Sequence, residues 1–69
     1  MSNEYRVQIV NVDGTIRNWD GDYSKDWAIL EMDELAGNPW DSLTYKEDIE
    51  VRVFAMSNRS IVDIRKVNW

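Results

Sequence analysis

Asn18, Asp20 and Asp22 stand at alternate positions in the stretch NWDGDYSKD, the spacing at which oxygen-bearing side chains take turns around a calcium ion. An EF-hand loop begun at Asn18 would also require glycine where Tyr23 stands and a bidentate glutamate where Ile29 stands. Both are missing, so the stretch reads as a polar turn that ends in a helix cap. Other chemistry-bearing groups are scarce. The chain has no His and no Cys, which removes nucleophilic triads, disulfides and the usual zinc ligands. It contains no Gly-x-Ser-x-Gly elbow, P-loop or dinucleotide fingerprint. Paired carboxylates are plentiful, as in any acidic chain, but a glycosidase-type pair works in a cleft that so small a domain can hardly form. The expectation is a non-enzymatic protein with no catalytic residue, no metal and no cofactor.

The residues with the clearest use are in DWAILEMDELAG, at positions 26–37. At about 100° per residue, Ala28, Ile29, Met32, Leu35 and Ala36 share one side of a helix and form its inward stripe. Trp27 and Leu30 lie well away from that stripe, bordered by Asp26, Glu31, Asp33 and Glu34. One reading sinks the helix deep, with Trp27 under the NPW loop and Leu30 under a turn. The other makes the pair an apolar anchor ringed by acids, the anatomy of a hot spot for a basic partner. Glu47, Asp48 and Glu50 would extend the negative charge.

These residues need elements to hold them, and the length allows little more than one core. Sixty-nine residues are expected to fold as a single domain, burying about 60% of the unfolded surface. Without disulfide or zinc, efficient packing and oligomerisation are the remaining sources of stability, and the four Trp favour both. Eight basic against thirteen acidic residues leave a net charge of −5, which disfavours phosphate binding and suits attraction to basic surfaces. MSNEYR lacks the basic-then-apolar layout of a signal peptide, and no apolar run approaches the roughly 20 residues of a membrane helix. The expected setting is the cytoplasm.

Tyr5, Val7 and Ile9 alternate with Arg6 and Gln8, as in a half-buried strand. Asp13-Gly14 suits a two-residue type I′ turn, giving a hairpin over about 4–19. That pairing puts Ile16 on the face of Val7 and Ile9, and Val10, Val12 and Trp19 on the other. Ser24 is the expected N-cap, Gly37 the C′ residue and Pro39 the stop; NPWDSLTY is a connecting loop. From Asp48 a second hairpin follows. With Asn58-Arg59 as its loop, Val62 and Ile64 join the face of Val53 and Ala55. Phe54, Met56, Ile61, Val67 and Trp69 gather on the other face with Arg52, Asp63 and Arg65. The order ββαββ predicts an α+β fold, a four-stranded antiparallel sheet with one helix across one face. The core should comprise Val7, Ile9, Ile16, Ala28, Met32, Leu35, Val51, Val53, Val62 and Ile64.

Three functional classes follow. The first is an inhibitor or adaptor docking its acidic surface, through Asp26, Trp27, Leu30, Glu31, Asp33, Glu34, Glu47, Asp48 and Glu50, on a basic partner such as a nucleic-acid-binding protein. In size and charge alone the chain resembles small acidic proteins that phages and mobile elements use against host nucleases and defence complexes. The second is a homo-oligomeric module, a homodimer through the uncovered sheet face at Trp19, Phe54, Met56, Ile61 and Trp69. The third is a nucleic-acid binder using Arg52, Arg59, Arg65 and Lys66 beside Trp69, a weaker reading in an acidic chain.

Overall fold

The computed structural model describes residues 3–43 and 46–69, with Asp20 described by its backbone alone. Part of the MSNEYR terminus and Thr44 and Tyr45 of the NPWDSLTY connection lie outside the described residues. The elements are β1 (Tyr5–Asn11), β2 (Ile16–Tyr23), α1 (Lys25–Gly37), α2 (Pro39–Ser42), β3 (Asp48–Ala55) and β4 (Ser60–Lys66). The strands form one antiparallel sheet in the order β2-β1-β3-β4. The α+β class and the ββαββ order are those expected; the short α2 replaces part of the predicted connecting loop.

Both hairpins depart from the expected register, and the loops supply the reason. The first loop holds three residues, Val12 to Gly14, instead of two. Gly14 sits at φ 91°, and its N–H donates to Asn11 O at 2.9 Å, while Asn11 N–H donates to Thr15 O at 2.8 Å. Asp13 is not at positive φ, as a type I′ turn would demand. The Asn11 side chain accepts from the Asp13 N–H, and the Asp13 carboxylate accepts from the Thr15 N–H and hydroxyl. This local bonding favours a turn closed by a left-handed glycine. One extra loop residue shifts every following side chain to the opposite face. Val10 therefore pairs with Ile16, Ile9 with Arg17 and Val7 with Trp19. Further on, a bulge leaves Asp20 and Gly21 unpaired before Arg6 meets Asp22. The strand also runs past the expected end of the hairpin at 19, so that residues 20–23, expected as part of a polar turn, are strand.

In the second hairpin Ala55 pairs with Ser60, so Met56 to Arg59 form a four-residue loop. Arg59 takes the positive φ, 53°. A bulge at Val62 then shifts the register once more, pairing Val53 with Asp63 and Arg52 with Ile64. Asp63 and Arg65 turn toward the helix side and Ile64 away from it.

α1 starts after Ser24, whose extended backbone (φ −68°, ψ 163°) suits an N-cap although its side chain makes no capping bond. Asp26 lies in the first turn, at the positive end of the helix dipole. At the other end Gly37 is still helical and Asn38, at φ −139°, is the C-cap. No left-handed C′ glycine is used, because Pro39 opens α2 directly. Ala28, Met32, Leu35 and Ala36 pack on Val7, Ile9, Val51 and Val53, with Leu43 closing one side. Of the expected core, Ile16, Val62 and Ile64 are instead exposed, each displaced by the register changes above.

The C-terminal segment does not cover the outer sheet face. It crosses back to the helix side, where Val67 N–H donates to Ile49 O and Asn68 N–H to Ala36 O, both at 2.8 Å. Trp69 packs against the core, donates its indole N–H to Asp48 O at 2.8 Å, and meets Trp40 edge-on at 6.0 Å.

Candidate interaction surfaces

The outer side of α1 is fixed by its inner side. Ala28, Met32, Leu35 and Ala36 are buried and Ile29 packs beside them, which turns Asp26, Trp27, Leu30, Asp33 and Glu34 to solvent. Trp27 is 66% exposed and Leu30 59%. Three residues apart on one helix, they are surface neighbours. The reading that sinks Trp27 under the NPW segment and Leu30 under a turn is excluded by the exposure of both side chains.

The acids named with this pair do different work. Asp26 and Glu34 are exposed and make no ion pair or side-chain hydrogen bond among the described residues. Glu31 is half-buried and accepts the Trp19 indole N–H at 3.1 Å. Asp33 pairs with Arg65 at 3.2 Å. Arg65 also holds Asp63 at 2.8 Å, which keeps the Asp63 carboxyl below its ordinary range and raises Arg65. Glu47 is exposed in the turn before β3, and its carbonyl accepts Val12 N–H at 2.7 Å. Glu50 lies on the far face of the sheet, so it does not extend the helix surface.

Asp48 is the clearest correction. Expected as a surface acid, it is wholly buried. Two nitrogens of Arg17 donate to its two oxygens at 2.9 Å each, and Asn11 Nδ2 donates to Oδ1 at 3.2 Å. The Arg17 bonds, aided by Asn11 and the Arg17 charge, outweigh desolvation and hold the carboxyl below its usual range. Its role is structural. The signal was available in the shift that brings Arg17 to the inner face, but the glycine turn that causes it is not legible from residue type alone.

The outer sheet face carries three ranks of directly opposed residues in the order β2, β1, β3, β4. The first is Asp22, Arg6, Phe54 and Ile61; the second Asn18, Gln8, Arg52 and Ile64; the third Ile16, Val10, Glu50 and Lys66. Arg6 pairs with Asp22 at 3.1 Å. Arg52 donates to Gln8 Oε1 at 3.0 Å, and Gln8 donates to Asn18 at 3.2 Å. Phe54, Met56 and Ile61 thus stand on or beside this face, as expected. Trp19 and Trp69 do not: both pack on the helix side, Trp19 because of the one-residue shift, Trp69 because the tail crosses over. The proposed cation cluster is also dispersed. Arg52 and Lys66 are on the outer face, Arg65 is on the helix side and Arg59 is at the hairpin tip, with Trp69 engaged elsewhere. Asn18 and Asp22, two of the alternate oxygen donors, are engaged with Gln8 and Arg6.

Fold and surfaces together define a small antiparallel α+β domain with a helix on one sheet face, whose described residues enclose no pocket. None of its helices is long and apolar enough to cross a membrane among the described residues. No family model, curated protein or solved structure matches the chain.

Proposed function

We propose that the chain is a non-enzymatic interaction module that docks the outer face of α1 on a basic protein partner. The observation that carries this reading is the exposed Trp27–Leu30 pair on a helix whose other face is fully committed to the core. Leaving a Trp and a Leu side by side in water forgoes burial worth about 1.5–3 kcal/mol for each large apolar side chain, which a docked partner regains. Asp26 and Glu34, unpaired within the described residues, supply a negative rim. Steering by such a rim raises association rates and weakens with salt, whereas the apolar anchor governs dissociation. The basic surfaces of nucleic-acid-binding proteins are the natural match. An inhibitor or adaptor of the phage or mobile-element kind, acting in the cytoplasm, is the setting that fits the size and charge.

The test is affinity capture from the native host followed by kinetics with the purified partner. Trp27→Ala should speed dissociation and cost about 2 kcal/mol or more. Glu34→Lys should slow association and flatten its dependence on salt. A folded Trp27→Ala protein that binds like the parent would overturn the proposal.

A further inference from the structure

On the far side of the sheet, the β3–β4 half carries three opposed pairs: Phe54 with Ile61, Arg52 with Ile64 and Glu50 with Lys66. Ile61 and Ile64 are exposed, and Phe54 and Met56 are only partly covered. Elsewhere on the same face charges are satisfied within the chain, Arg6 by Asp22 and Arg52 by Gln8. Glu50 and Lys66 are the exception. They stand directly opposite each other across the two strands, yet make no ion pair or side-chain hydrogen bond among the described residues.

We infer that this half-face is the contact between two copies of the chain, related by a two-fold axis that runs along the strands between β3 and β4. Such an axis lays β3 of one copy over β4 of the other, in the aligned mode of sheet packing. The register then dictates what meets. Phe54 packs on Ile61 of the second copy, the stem of Arg52 covers Ile64, and Glu50 faces Lys66. Each contact occurs twice, as a two-fold interface requires. An axis across the strands would instead set Phe54 against Glu50 and Ile61 against Lys66. The self-complementarity is therefore specific to one geometry, and it uses the pair of opposite charges left free.

Two strands with ordinary spacings offer a face only about 10 Å by 24 Å, well short of the roughly 800 Å² per partner of a standard interface. Association is accordingly expected to be weak and to show only at high protein concentration. The dimer places both copies of α1 on the outside, so it neither requires nor obstructs the helix surface.

Sedimentation equilibrium of the full chain over a series from micromolar to millimolar protein tests the inference. The mass should rise from the 8.2 kDa of one chain toward twice that value. Glu50→Lys and Lys66→Glu should each weaken self-association about tenfold, since each opposes like charges twice across the axis. An equimolar mixture of the two variants should recover dimer, because every Glu50–Lys66 contact is again of opposite sign. Ile61→Lys, at an exposed position turned away from the core, should abolish dimer without lowering the melting temperature. A constant 8.2 kDa mass would overturn the inference and leave the face to another partner. So would a dimer indifferent to these substitutions, or a mixture that fails to recover.

Discussion

The guanidinium of Arg17 on β2 reaches across β1 to the buried carboxylate of Asp48 on β3, closing two parallel hydrogen bonds of 2.9 Å. The pair ties an edge strand to the centre of the sheet. Asn11 of β1 adds a third bond to the same carboxylate, and the Asp48 carbonyl receives Trp69. Three other segments, β1, β2 and the C-terminal tail, thus converge on one acid of β3.

Removing one member of this pair strands the other. Arg17→Met should destabilise the fold by about 3 kcal/mol, because the buried carboxylate loses the partner that offsets its desolvation. Arg17 is itself partly exposed, which places the loss at the low end for a buried ion pair. Replacing both together, Arg17→Met with Asp48→Leu, should recover most of the loss. Urea unfolding of the single and double variants checks this; additive losses would show that the two residues act independently.

Acid should weaken the same link. The native Asp48 carboxyl is held below its ordinary value by Arg17, so its contribution is complete above about pH 5, where the unfolded chain's aspartate is also ionised. As pH falls through about 4 the unfolded chain takes up the proton first, and stability declines until the native carboxyl is protonated too. Unfolding free energy should therefore be level near neutrality and fall progressively below about pH 5, with a shallower acid limb in Asp48→Asn. Parallel acid limbs in parent and variant would assign the decline to other carboxyls.

Trp27 and Met32 sit five positions apart on α1 and should respond oppositely to truncation. Met32 is fully buried, and Met32→Ala should cost about 2–5 kcal/mol. Trp27→Ala should leave the unfolding free energy within about 0.5 kcal/mol, since the side chain leaves no cavity. Thermal melts of the two variants measure the contrast directly. A Trp27→Ala variant that loses several degrees would place the indole in the core.

The strand alternation around Val7 and Ile9, the helical stripe of Ala28, Met32 and Leu35, and the alternation of Val51 and Val53 are local patterns, and the folded chain buries each of them. Trp27 and Leu30 stand off that stripe in the sequence, but only the packing chose between a sunken helix and an outward pair, and it left both exposed. The loops obey a different logic. Whether Asp13-Gly14 closes a two- or three-residue turn depends on backbone torsions at Asp13 and on side-chain bonds from Asn11 and Thr15, and residue identity permits either.

The sequence by itself determined the order of the strands and the main helix, the α+β class and the inward stripe of that helix, because hydrophobic periodicity is a property of neighbouring residues. Only the tertiary structure decided register and pairing. A single added loop residue and a bulge at Val62 exchanged the faces of Ile16, Trp19, Ile64 and Arg65, since side chains in a strand alternate with a period of two. The fate of each charge followed. Asp48 became a buried partner of Arg17, Asp33 a partner of Arg65, and Glu50 and Lys66 made no ion pair among the described residues, because an ion pair depends on separations in space that spacing along the chain does not record.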